Sequence, residues 1–470
     1  MSRKRGLRTA LAIAVFASVT LPRVALADTL ETALALAYQN NPQLSAQRAL
    51  VRATDEGVPQ ALAGYRPRVS ATANIGAQSN RMVTRSGPTN PPTPAIDTLQ
   101  AGGSTPRGFG ATLTQPLFNG FQTAGRTRQA ESQVQAARET LRSSEQSVLL
   151  AAVSAFMNLL RDTAIFDLQR SNLDVLQEQL RQTKQRLESG NVTATDVYQS
   201  EARLAVGRTQ LFVAEAAFKT SRAVYRQVIG VDAGRLRPAT SVDRFIPALL
   251  PAAIAAGTAQ NPVVTTAQYN VDVAVQQVKI AESALYPTLS LLGSVQRNYD
   301  VALTTPENYT ATVAGQLSVP IYQGGAEYSQ IRQAKETLGQ RRFDLDVARD
   351  QARLSVEQAW AQLEASKGAI VSTQSQVKGA EAALNGVREE ARLGQRTTLD
   401  VLNAQQELVN ARVAMVGAQR DRVVNSYTLL SAIGRLSPNV LGLAVSAYDA
   451  QIHYHQIRDA WTGVRTPDGR

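Results

Sequence analysis

Gln122–Glu188 reads QTAGRTRQAESQVQAARETLRSSEQSVLLAAVSAFMNLLRDTAIFDLQRSNLDVLQEQLRQTKQRLE, with no proline and one glycine, Gly125, near its start. Its roughly 67 residues would extend about 100 Å as one helix. A second run, Gly325 to Leu393, has nearly the same length and is also free of proline. Within it Val356, Ala359, Leu363, Ser366, Ile370, Thr373, Val377, Ala380, Leu384, Val387 and Ala391 keep a strict three-four alternation. That is a coiled-coil seam. Two such rods exceed what a globular core requires, so length itself is expected to be part of the function.

Outward from the rods, the N-terminus carries a transport signature. Arg3, Lys4, Arg5 and Arg8 precede a mostly apolar stretch, Leu11 to Leu21, and Ala25-Leu26-Ala27 supplies a small-x-small cleavage site. Residues 1–27 are therefore expected to be a cleaved export signal, leaving Asp28 first. The competing reading, an uncleaved anchor, needs about 20 apolar residues, and the run is roughly half that. No other segment reaches the apolar length of a membrane helix, so a membrane form of this chain is expected to use strands. The absence of cysteine excludes disulfides, thiol catalysis, thiolate metal sites and lipid attachment through an N-terminal cysteine. The formal charge of +11 falls to +6 once Arg3, Lys4, Arg5, Arg8 and Arg23 leave with the signal. The remaining charges alternate in sign along the helices, as in Arg388-Glu389-Glu390, which indicates solvated faces and no nucleic-acid stripe.

The chain is duplicated. Asn41-Pro42 recurs as Asn261-Pro262, and Arg66-Pro67 as Tyr286-Pro287, at one constant separation. Gln115-Pro116-Leu117-Phe118 is matched by Val319-Pro320-Ile321-Tyr322, Gly190 by Gly394, Asp196 by Asp400, and Ile229-Gly230 by Ile433-Gly434, at a second constant separation. The second separation is shorter, so the first copy carries an insertion of about 16 residues between Pro67 and Pro116.

Each copy has the same order. A short helix (Leu30–Asn40; Pro251–Gln260) stops at Asn-Pro, because a residue before proline resists helical geometry. A longer helix follows (Pro42–Gly64; Pro262–Leu285). The period then switches to two. Val69, Ala71, Ala73 and Ile75 alternate with Ser70, Thr72 and Asn74, and Leu289, Leu291, Gly293 and Val295 alternate with Ser290, Leu292 and Ser294. Phe109 to Leu117 and Tyr309 to Val319 continue the pattern. Four such segments of roughly 9–11 residues, apolar on one face, have the pattern of membrane barrel strands. A half-buried strand in a soluble sheet alternates in the same way, but nothing apolar remains in this chain to cover these. The insertion, between Asn80 and Arg107, is rich in Pro, Gly, Ser and Thr and is predicted to be a long exposed loop. The second hairpin loop, Asp300 to Glu307, is short.

On the shorter return helices Val197, Leu204, Leu211, Phe218 and Tyr225 lie seven apart, as do Leu402, Val409, Val416, Val423 and Leu430. They imply antiparallel pairing with the long rods. The predicted organisation is thus a first repeat over 28–235, with strands near 68–79 and 108–118 and helices near 122–188 and 195–229. A linker, 236–250, follows. The second repeat covers 251–435, with strands near 288–299 and 308–321 and helices near 325–393 and 398–433. A C-terminal segment with a flexible tail occupies 436–470. The fold class is mostly α with membrane β. Four strands cannot close a barrel, whose smallest membrane examples have eight, and open edges are not tolerated in lipid. The chain is expected to be a homo-oligomer.

The duplicated helix–hairpin–helix order, the Asn-Pro breaks, and the turns Glu188-Ser189-Gly190-Asn191-Val192-Thr193 and Leu393-Gly394-Gln395-Arg396-Thr397-Thr398 resemble the TolC family of outer-membrane efflux and type I secretion ducts. The resemblance covers essentially all of the mature chain. It implies a homotrimer with a twelve-stranded barrel in outer-membrane lipid of a Gram-negative bacterium and a twelve-helix periplasmic tunnel. The linker and tail would form a belt around that tunnel. It also implies a periplasmic adaptor and an inner-membrane ABC or proton-driven transporter as partners, and drugs or unfolded proteins as cargo.

The two helical turns are then the periplasmic tips. Gly190 and Gly394 suit the left-handed position that ends a helix, and by the resemblance these tips, with Asn191 and Gln395, also bind the adaptor. Asp196 and Asp400 open the return helices, where an acid complements the helix dipole. In an oligomer, Asp400 also becomes a carboxylate ring that favours cations at a constriction. Arg396 has Val192 as its counterpart, so one tip per copy pair carries a cation there. The resemblance implies that Arg396 links neighbouring helix pairs to hold the entrance closed, with Asp196 as its acid. The chain departs from the family pattern at Asn403, where relatives often carry a second aspartate, and at Ala391, where relatives carry a gating tyrosine. His453 and His455 are the only histidines, too few for a metal site, and no phosphate loop, dinucleotide fingerprint or nucleophile elbow is present. No enzyme activity and no cofactor are expected. The alternative class is a soluble periplasmic coiled-coil adaptor or scaffold. That would share the signal and the heptads but would have one central hairpin in place of a tandem copy.

Overall fold

The computed structural model describes residues 29–86, 96–302, 305–467 and 469. The expected export signal, 1–27, lies outside them. A capping box between Thr29 and Thr32 opens α1 (Leu30–Asn40), and Asn41 ends it and caps α2 (Pro42–Asp55). One helix was predicted as far as Gly64; instead α2 stops and α3 (Gly57–Leu62) restarts after Glu56. Pro59 is the cause, because it has no N–H for the carbonyl of Asp55 and its ring crowds that carbonyl. At the matching position of the second copy stands Lys279, and the helix there is continuous. Strands β1 (Arg68–Ile75), β2 (Gln78–Ser86), β3 (Ile96–Ser104) and β4 (Arg107–Asn119) follow, then α4 (Gln122–Glu188) and α5 (Ala194–Ile229).

The second copy holds α6 (Leu250–Gln260), α7 (Pro262–Glu282), β5 (Thr288–Ala302), β6 (Thr305–Ser318), α8 (Ala326–Arg392) and α9 (Thr398–Ala432). Two short helices, α10 (Pro438–Leu441) and α11 (Ala450–Ile457), end the chain. Rods α4 and α8 are each 67 residues long. The two Asn-Pro sites turn out to be joints between separate helices. Asn41 accepts from the Gln43 amide at 2.8 Å while its Nδ2 donates to the carbonyl of Val228, at the end of α5, at 3.3 Å. Asn261 repeats both bonds, accepting from Val263 at 2.9 Å and donating to Ala432 of α9 at 3.0 Å. Gly434, at φ 84°, ends the turn after α9 so close to α6 that a Cβ would lie 2.5 Å from the Gln260 carbonyl.

The membrane-type strands form one antiparallel sheet in the order β1-β4-β5-β6. Its register lines up rows of one face: Val69, Leu113, Gly293 and Val313; Ala71, Ala111, Val295 and Ala311; Ala73, Phe109, Arg297 and Tyr309; Ile75, Arg107, Tyr299 and Glu307. Both edges, β1 and β6, lack a partner among the described residues, and Val69, Ile75 and Val313 are exposed. Strand β6 ends at Ser318, short of the expected 321, because Pro320 has no amide to donate. The predicted loop of the insertion is corrected: β2 and β3 pair from Gln78↔Ser104 to Ser86↔Ile96 as a separate two-stranded ribbon beyond the sheet. The second hairpin is also longer than expected, with β5 and β6 of 15 and 14 residues.

All eleven seam positions of α8 are buried or half-buried, as the three-four alternation requires. Toward the tips the helices lie in the order α5, α4, α9, α8; toward the sheet α2, α3 and α7 take the places of α5 and α9. The largest core sits between these levels, where Leu149, Val153 and Phe156 of α4 meet Leu34 and Tyr38 of α1, Tyr225 and Ile229 of α5, Val242 of the linker, and Tyr427 and Leu430 of α9. Here one expectation fails: α4 does contain an 18-residue window of mean hydropathy 1.5, apolar enough to cross a membrane. Half of that window is buried by this core. A helix wrapped on several sides is apolar around its circumference for the same reason as a membrane span.

Candidate functional site

The two tips are built alike. After α4 the Asn191 amide donates to Arg186 O at 2.9 Å and the Gly190 amide to Leu187 O at 2.9 Å. After α8 Gln395 donates to Glu390 O at 2.9 Å and Gly394 to Ala391 O at 3.2 Å. This is the paired bonding of a Schellman turn. Gly190 and Gly394 adopt φ 73° and 78°, and an added Cβ would meet nothing within 4 Å, so backbone conformation alone calls for glycine there. Thr193 and Thr397 then cap the return helices in reciprocal boxes. The Thr397 amide and hydroxyl reach Asp400 Oδ2 at 3.0 and 2.9 Å. These bonds, the backbone one foremost, hold the Asp400 carboxyl below its ordinary pKa, with a smaller contribution from Arg396. Asp196 makes the same pair of bonds with Thr193, at 2.9 and 2.7 Å.

Arg396 does not meet Asp196 within one chain. Its Nε donates to Glu390 Oε2 at 2.9 Å, back across its own turn. That carboxylate, more than Asp400, raises the Arg396 pKa. Asn403, on α9, joins the two tips instead. Arg203 of α5 donates from Nη2 to Asn403 Oδ1 at 2.5 Å. A polar chain continues the connection, with Arg388 of α8 donating to Gln405 Oε1 at 3.0 Å and Gln405 to Asn172 of α4 at 3.3 Å. Leu176, Leu204 and Leu402 form the apolar layer beside it. Arg203 was not singled out from the sequence, although a signal exists: its counterpart in the second copy is Glu407 and that of Asn403 is Gln199, so the copies differ here as they do at Arg396 and Val192.

Among the described residues no group of three or more His, Asp or Glu is placed to hold a metal. His453 instead lies 3.0 Å from buried Asp55, with Arg138 on the other carboxylate oxygen at 4.0 Å. At the tips, polar contacts thus join α5 to α9 and α9 to α4, and one carboxylate caps each return helix.

The fold and these tips have known relatives. The chain is 40% identical over 462 residues to the outer membrane efflux protein BepC of Brucella suis biovar 1, covering 98% of this chain and 97% of that one. It is 27% identical over 433 residues to the outer membrane protein TolC of Vibrio cholerae, covering 89% and 93%. The outer membrane channel CmeC of Campylobacter jejuni has the same fold, with a TM-score of 0.73 at 16% identity over 92% of this chain and 89% of that one. The family model for the outer membrane efflux protein matches residues 33–231 and 255–435, which are the two copies without the linker. The chain therefore belongs to the outer membrane efflux protein family, the TolC-like export ducts of the outer membrane.

Proposed function

We propose that three copies of this chain assemble into the exit duct of a tripartite export system. The observation that carries the reading is the four-stranded sheet with two unpartnered edges and an uncovered apolar face, joined to helices 67 residues long. Pairing β6 of one copy with β1 of the next gives twelve strands and leaves no edge in lipid. The outermost wall helices support the same closure. Tyr198, Ala202, Ala205, Thr209, Phe212 and Ala216 form a second three-four seam on α5, and its Tyr198 and Phe212 are about two-thirds exposed. On α8, Phe343, Val347 and Leu354 are exposed in the same spacing. The α5 seam gains a partner when copies meet side by side; the α8 residues lie nearer the sheet, level with α2 and above the end of α5, and are covered by that part of a neighbouring copy.

In this reading the helical tunnel extends into the periplasm, and Gly190, Asn191, Gly394 and Gln395 take the periplasmic adaptor of an inner-membrane ABC or proton-driven transporter. Small molecules, unfolded proteins or both pass through. Asp400 supplies a carboxylate ring at the entrance. Asn403 tethers α9 to α5, and Arg396 reaches Asp196 of a neighbouring copy when it leaves Glu390. The duct works without catalysis. Arg396→Ser should raise single-channel conductance in planar bilayers, and an unchanged conductance would sink the latch. Native mass spectrometry of the detergent-solubilised protein should give three chains; a monomer would remove the closed barrel.

A further inference from the structure

The uncovered face of the sheet ends differently at its two extremes. Beside the helices Phe118, Phe121 and Tyr286 pack edge to face at 5.3 and 6.3 Å. At the far end the last two rows bring Phe109, Tyr299 and Tyr309 together with two cations, Arg107 and Arg297. Both guanidinium groups gather on one ring: their central carbons lie 5.7 and 5.3 Å from the centre of Tyr299. Between the two ends run the apolar rows Val69, Leu113, Gly293 and Val313, and Ala71, Ala111, Val295 and Ala311. The far rows thus stand where an apolar band gives way to headgroups, on the side of the membrane away from the tunnel.

We propose that Arg107, Arg297 and Tyr299 form a site for the phosphate of an anionic lipid headgroup in the outer leaflet. Arg107 shares the outermost row with Tyr299, and Arg297 stands in the row next to the apolar band. Both are accessible, 56% and 45% exposed. Two carboxylates face them. Arg297 binds Glu307 at 2.6 Å, whereas Arg107 has only a long contact to Asp300 at 3.5 Å. A planar guanidinium takes two oxygens of one phosphate side by side, geometry that the single contact to Asp300 leaves unused. Arg107 is therefore the principal anchor, Arg297 the secondary one, and Asp300 the competitor.

The proposal rests on the sheet lying in the outer membrane, and the test separates the two. The full protein is exchanged into nanodiscs of equal phosphatidylglycerol and phosphatidylcholine, and retained lipid is counted by native mass spectrometry. Retention of neither lipid would overturn the membrane placement itself. With that placement intact, R107Q/R297Q should lower the ratio of bound phosphatidylglycerol to phosphatidylcholine by roughly five-fold per arginine, and R107K/R297K should restore part of it. An unchanged ratio overturns the site. Inorganic phosphate at the lipid concentration should displace nothing; displacement assigns the groups to free phosphate and overturns the lipid. If the double variant does not assemble, Asp300→Asn gives the answer, because freeing Arg107 must raise the ratio and no rise overturns the proposal.

Discussion

Removing the Arg203 side chain should loosen the closed entrance. Arg203 reaches Asn403 at 2.5 Å; Asn403 is exposed and Arg203 half-buried. A charge-assisted bond with that exposure is worth about 1 kcal/mol, below the value for a buried one. Three copies opening together lose three such bonds, about 3 kcal/mol, which shifts the open-to-closed ratio about 150-fold. A duct open roughly once in a thousand would then be open about a tenth of the time. Arg203→Ala recorded in planar bilayers should show that rise in open time. The double variant with Asn403→Ala should add almost nothing, since both substitutions remove one bond. Additive effects, or an open time equal to that of the unmodified protein, would refute the tether. Arg203 lies on a solvated face outside the core, so loss of folding is not a competing outcome.

Two further outcomes can be stated with equal definiteness. Gly434→Ala should lower the thermal midpoint of the assembled protein far more than Gly190→Ala, because both meet a left-handed backbone worth about 1–2 kcal/mol but only Gly434 places its Cβ 2.5 Å from a carbonyl; equal shifts would show that the α6–α9 joint yields freely. Burial raises the Asp55 pKa above its ordinary 3.8, against smaller lowering by His453 and Arg138. The folded chain therefore holds that proton more tightly than the unfolded one. The associated stability is complete below the ordinary pKa and is lost as pH rises through the raised one. Unfolding midpoints of Asp55→Asn should accordingly lose this decline between acid and neutral pH, and a parallel profile would contradict it.

The rods, their seams and the Asn-Pro joints were legible because each depends on local pattern. Helical period fixes which side of α8 is buried, and proline forces a break wherever it stands. The break at Pro59 follows the same rule, but the expected single helix to Gly64 missed it. The β2–β3 ribbon was not legible, because Gln78-Ser79-Asn80-Arg81 and Ala101-Gly102-Gly103-Ser104 lack an apolar face, and only pairing across the insertion makes them strands. At the tips the sequence located the turns and the caps on Asp196 and Asp400. The expected acid for Arg396 was Asp196, whereas within one chain it meets Glu390, and Asn403 had no expected partner. Glu390 is brought back by the tight turn, and Arg203 meets Asn403 only because α5 and α9 converge below their shared apolar layer.

The core that surrounds α4 at mid-height makes that helix a cantilever. It is clamped from about Val148 to Leu159 and extends some 29 residues further, an arm of about 44 Å. A tilt of about 10° at the clamp moves the free end by about 8 Å over that arm. Angular play too small to disturb packing at the support is thus multiplied into displacement at the entrance. In the proposed duct, the stiffness of residues around Phe156, far from any tip, would then set how widely the tips can part.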